Sequence, residues 1–163
     1  MYFIFYMDVP ELKKAYGSLM KKYKLPSWKD LDDEFEIVSR EIPPVSDVLR
    51  FVRRRISEKI AYYTSVFENL LQPNPGSLIS LNESKFFTEA ELQNVIHLLK
   101  ELMYLDRYSL LLDISSIERE EAEYIVTCYK QWLALKKDLA RVTQTLREGW
   151  KRELKSDRFQ YFG

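Results

Sequence analysis

Cysteine occurs once in this chain, at Cys128, and histidine once, at His97. A lone thiol excludes an intrachain disulfide framework and any zinc site built from several cysteines, and it suits a reducing cytoplasm. A lone histidine excludes the paired Glu-x-x-His motifs of di-iron helical bundles. Glycine is scarce, with four residues in all and none between Gly76 and Gly149. That argues against many tight β-turns and against loops that cradle phosphates. Net charge is zero, since 25 lysines and arginines balance 25 aspartates and glutamates, so no general attraction to nucleic acid follows. Long hydrophobic runs are missing too. The apolar opening Met1-Tyr2-Phe3-Ile4-Phe5-Tyr6-Met7 is too short to span a bilayer and lacks a basic leader and a small-residue cleavage site. It reads as a short docking segment, with Met7 as an alternative start. No membrane partner is expected. No nucleotide-binding glycine loop, nucleophile elbow, zinc signature or repeat occurs, and no cofactor is implied.

What the chain has in abundance is apolar surface. Hydrophobic residues make up 46% of it, and 11 tyrosines, 9 phenylalanines and 3 tryptophans imply a large packed core or a surface that something else covers. A length of 163 residues suits one domain, taken as 1–163.

Prolines punctuate the first half at helix ends. Asp8 is placed to cap a first helix, with Pro10 in its first turn and Leu12, Tyr16, Leu19 and Tyr23 along one face. Ser27 caps a second, short helix carrying Trp28, Leu31, Phe35 and Val38. These two elements occupy 8–39. A third helix is expected over 44–71, with Val45, Val48, Val52, Ile56, Ile60, Tyr63, Phe67 and Leu70 as its core face. Pro73-Asn74-Pro75-Gly76 stops it. Residues 72–87 read as an ordered loop whose Leu78, Ile79, Leu81, Phe86 and Phe87 pack across the bundle.

Thr88 and Glu91 form a capping box for a fourth helix over 88–112, with Leu92, Val95, Ile96, Leu99, Leu102 and Met103 as its stripe. Past Leu102 apolar residues surround the helix, which implies deep burial there or a break, with Asp106 and Arg107 marking the break. Ser115 or Ser116 is expected to cap a last helix over 117–155, forced antiparallel to the fourth by the short connection. Its apolar residues Ile125, Cys128, Trp132, Leu135, Leu139, Val142 and Leu146 step by three and four, a coiled-coil seam. The stripe continues at Trp150 and Leu154, with Gly149 on the vacated seam position. Residues 156–163 form a tail. The expected fold is all-α: an elongated antiparallel bundle of two short N-terminal helices and three long ones, the last coiled-coil-like and covered by its neighbours.

Chemistry-bearing candidates are few. His97 lies off its helix stripe and reads as a surface residue; Cys128, on the seam, reads as core. The acids Asp30, Asp32, Asp33, Glu34 and Glu36, and Glu118, Glu120, Glu121 and Glu123, read as solvated faces, not as inward carboxylates converging on magnesium. Arg50, Arg53, Arg54 and Arg55 are the most suggestive cluster, since guanidinium forks suit phosphate or carboxylate. They spread over about 200° of the helix at 100° per residue. Asp47 with Arg50 and Glu58 with Arg54 have ion-pair spacing, so salt bridges or a protein contact suit them better than phosphate. In the tail, Phe159, Tyr161 and Phe162 beside Lys151, Arg152, Lys155 and Arg158 fold back or dock a partner.

The function expected is a non-enzymatic interaction or assembly subunit that binds another protein or itself. The first alternative is a nucleic-acid-associated factor using Arg50–Arg55 and the basic C-terminal region. The second is an all-α metal-dependent phosphohydrolase.

Overall fold

The computed structural model describes residues 8–38, 45 and 47–156. Six helices and no strand form among the described residues: α1 Val9–Tyr23, α2 Trp28–Phe35, α3 Val48–Leu71, α4 Leu78–Ser84, α5 Glu89–Ser115 and α6 Glu118–Lys155. The chain is all-α, as its periodicity predicts.

The expected caps largely form. Asp8 and Glu11 close a capping box on α1, Ser27 accepts the Asp30 N–H on α2, and Thr88 and Glu91 close a second box on α5. Each satisfies backbone donors that a helix start leaves open. The third helix begins at Val48 and not near Pro44, because the Asp47 carboxylate accepts the Arg50 N–H at 3.0 Å and takes the cap. The expected loop 72–87 holds a short helix, α4, capped by Ser77. Its Ser80 hydroxyl donates to the Asn69 carbonyl and accepts from the Asn74 N–H, tying α4 to the end of α3. Leu78 and Ile79 are exposed, so the packing role expected of this stretch falls to Phe86 and Phe87.

The fourth helix neither breaks nor sinks. α5 runs unbroken to Ser115, passing Asp106 and Arg107, which pair with each other. The caps assigned to Ser115 and Ser116 do not form. Ser116 ends α5 in the left-handed region (φ 50°), and Ile117 takes the N-cap position of α6 with no side-chain hydrogen bond.

Side-chain pairs fix the helix directions. Tyr108 meets Tyr124 with ring centroids 5.2 Å apart and Gln131 donates to Glu101 at 2.7 Å, so α5 and α6 run antiparallel. Arg53 meets Glu121 and Tyr63 meets Trp132, so α3 and α6 run parallel with α5 opposed to both. The seam of α6 is covered from within the chain: Ile125, Cys128, Trp132, Leu135, Leu139 and Val142 are buried and Leu146 is partly so. Beyond it the stripe fails at Leu154, which is 88% exposed. Gly149 has a packing reason. A Cβ placed there would lie 2.1 Å from the Phe86 ring, which also packs edge-on against Trp150. The ring occupies the space that any larger residue would need.

Candidate functional site

Arg53 is the centre of an ionic network at the end of the bundle where α3 and α6 begin. It faces inward beside Leu49 and Ile56, and it is 1% exposed. Its Nε donates to Glu121 at 2.5 Å, Nη1 to the Ser109 hydroxyl at 2.6 Å and carbonyl at 3.0 Å, and Nη2 to Asp113 at 2.5 Å. One guanidinium thus clamps three helices. Glu121 is equally buried, at 1%. Burial pulls its carboxyl up from the usual range against the pull of Arg53, whereas the Arg53 hydrogen bond holds Asp113 below it. Burial opposes the Arg53 charge too, but Asp113 and Glu121 outweigh it and raise its pKa. Arg50 and Arg54 close on the same Asp113 oxygen at 3.5 and 3.6 Å, and Arg50 also donates to the Ser116 hydroxyl at 3.2 Å.

The arginine cluster therefore divides. Arg53 is internal, Arg50 and Arg54 rim the network, and Arg55 lies on another side of α3 with Glu58 at 3.0 Å. The expected partners have shifted. Glu58 takes Arg55 because Arg54 is drawn across to α5, and Asp47 serves the backbone instead of the Arg50 guanidinium.

Two acids leave the solvated faces on which their spacing had put them. Glu121 is one. Glu34 is the other: it accepts from Trp132 Nε1 at 2.8 Å and Lys136 at 2.6 Å, while its own carbonyl accepts from Lys59 at 2.6 Å. Burial raises its carboxyl, but Lys136 and Trp132 prevail and hold it below the usual range. Cys128 is buried as expected, and burial pushes its thiol up to about 12. His97 is exposed, 4.0 Å from Glu101. Among the described residues no group of three or more histidine, cysteine or acidic side chains could hold a metal, and no helix is long and apolar enough to cross a membrane. Phe159, Tyr161 and Phe162 lie outside the described residues.

The C-terminal half of α5 carries what periodicity misplaced. Leu102, Leu105, Ser109 and Leu112 face the core, and Tyr104, Leu110, Leu111 and Ile114 face solvent, Leu111 at 60% and Ile114 at 84% exposure. At 100° per residue these four, with half-buried Met103, fall within about 120° of the helix. Ile117 extends the strip past the helix end. Tyr104 also lines an open groove of about 680 Å³ between the end of α1, α5 and the start of α6, beside Tyr23, Tyr108 and Val126. At its rim Lys22 and Tyr23 donate to Glu118, and Arg119 pairs with Glu123, while Lys24 also lines it. Neither histidine nor cysteine lines this groove.

Compared with protein-family models, curated proteins and solved structures, the chain matches none of them.

Proposed function

We propose that this protein is a non-enzymatic helical assembly subunit that associates through the exposed strip of α5. The observation that carries this is the outward row Tyr104, Leu110, Leu111 and Ile114 on a helix whose opposite face is buried. Contiguous apolar surface of this kind is rare on monomers and marks contact sites. The strip carries little net charge, because Arg107 in its midst is paired with Asp106. A second copy of this chain, related by a two-fold axis, presents the same neutral, apolar face and is the best-matched occupant. A buried arginine whose three nitrogens all donate within the chain, a thiol pushed up by burial and a groove that neither histidine nor cysteine lines support association over catalysis. Phosphate binding by Arg50–Arg55 draws less support, because Arg53 is enclosed.

Sedimentation equilibrium of the full chain and of Leu111→Glu/Ile114→Glu tests this. The parent is expected to self-associate as concentration rises, and the variant to remain monomeric with unchanged helix content and Tm. A parent chain that stays monomeric throughout, or a variant that associates as the parent does, overturns the proposal.

A further inference from the structure

The chain has no net charge, yet its charges are segregated along α6. From Lys130 to Lys155 there are eight basic residues against three acidic ones, whereas Glu118–Glu123 carries four acids and one base. All eight bases lie on exposed positions, and six of them, Lys130, Lys137, Arg141, Lys151, Arg152 and Lys155, share one face. At 100° and 1.5 Å per residue they fall within about 100° of the helix and extend about 37 Å along it. They form one straight stripe on the side of α6 away from the buried seam. Among the described residues, Arg141 pairs with Asp138 at 3.1 Å and Lys151 with Glu148 at 3.8 Å, and Arg152 acts on Glu91 through charge alone.

A basic stripe along one helix is the footprint of a polyanion. The composition of the stripe narrows which one. Single-stranded nucleic acid is held by aromatic platforms on which bases stack, and no tyrosine, tryptophan or phenylalanine lies in this row. An anionic bilayer retains a basic helix stably when an apolar anchor adds to the charge. Here the row offers only Leu133, at 43% exposure, and alanines. Duplex phosphates need neither device. We propose that the outer face of α6 from Lys130 to Lys155 docks onto duplex nucleic acid through its phosphates, without reading sequence. This surface is separate from the α5 strip and does not depend on self-association.

The test is fluorescence anisotropy of the full chain against a random-sequence duplex of about 20 base pairs, longer than the stripe, as DNA and as RNA, across a salt series. Six phosphate contacts predict a slope of log K against log salt near −5, and so about a thousandfold loss between roughly 50 and 200 mM salt. Lys130→Gln/Lys137→Gln/Lys155→Gln should flatten that slope by about 2.7 while leaving Tm and helix content unchanged. Should the triple variant unfold, Lys137→Gln and Lys155→Gln alone are each expected to remove about 0.9. The proposal fails if the parent binds neither duplex at low salt, if the variants keep the parent slope, or if phosphatidylserine vesicles bind it more tightly than either duplex.

Discussion

Replacing Arg53 by methionine keeps most of the side-chain volume and removes four charge-assisted hydrogen bonds, two of them to carboxylates. The lost bonds are not the main cost. Asp113 is partly exposed and can turn to water or to Arg50 and Arg54, but Glu121 is left at 1% exposure with a carboxylate that has lost its hydrogen-bonded counter-charge. Breaking a buried pair from one side costs about 3–5 kcal/mol. For a chain of this size each kcal/mol moves Tm by about 2–4 °C, so a fall of about 6–20 °C is expected. Removing both charges leaves no orphan, so Arg53→Met/Glu121→Leu should recover most of the loss. The pH dependence carries a sign. In the single variant, the folded-state pKa of Glu121, already raised by burial, rises further above its unfolded value. Stability is then fully present below the unfolded value and lost as pH rises through the folded one. Its deficit relative to the parent should therefore shrink on acidification from about pH 7 to about pH 5. Thermal melts by circular dichroism at several pH values read both effects. A single variant within about 1 kcal/mol of the parent, or a double variant no better than the single, would refute a buried ion pair at this position.

Two further outcomes follow from packing and from charge. Gly149→Ala should destabilise by up to about 2 kcal/mol, because displacing the Phe86 ring costs about 1–3 kcal/mol and exceeds the roughly 1 kcal/mol gained in helix propensity. Gly17→Ala, in the middle of α1 with nothing within 4 Å of the new methyl, should gain that propensity and raise Tm; equal effects at the two sites would contradict the packing account. Glu34, whose carboxyl is depressed by Lys136 and Trp132, contributes stability that is present above its unfolded pKa and lost as pH falls through the folded one. Glu34→Gln should therefore lower Tm at neutral pH and flatten the acid limb below about pH 5, which melts of the two proteins compared across pH check directly.

Helix existence and most starts were legible because caps and apolar steps are local. Asp8, Ser27 and Thr88 each sit next to the backbone they serve, and the α6 seam repeats for three heptads. The arginine hub was harder to see, although it leaves a trace. Extending the α6 seam back four residues from Ile125 lands on Glu121, and Ser109 stands between Leu105 and Leu112 on the inward face of α5. A polar residue in each of two core rows calls for a third polar group between them, and Arg53 sits among Leu49, Ile56 and Ile60. Charge runs alone hid this, because Glu121 lies among exposed acids and Arg53 among exposed arginines. The outward strip of α5 was misread for a different reason. Leu110, Leu111 and Ile114 are as apolar as their buried neighbours, and a single-chain pattern does not distinguish surface covered by the same chain from surface left bare. Glu34 was misplaced because its partners, Trp132 and Lys136, are about a hundred residues away in sequence.

Hydroxyl-radical footprinting over a range of protein concentrations measures the covering of the α5 strip residue by residue, with Leu154 as an exposed apolar reference far from it. Labelling of Tyr104, Leu110, Leu111 and Ile114 should fall together as concentration rises, while Leu154 stays at its dilute value. If the four keep their dilute-solution labelling at every concentration, or fall no more than Leu154 does, then no second copy docks on that face.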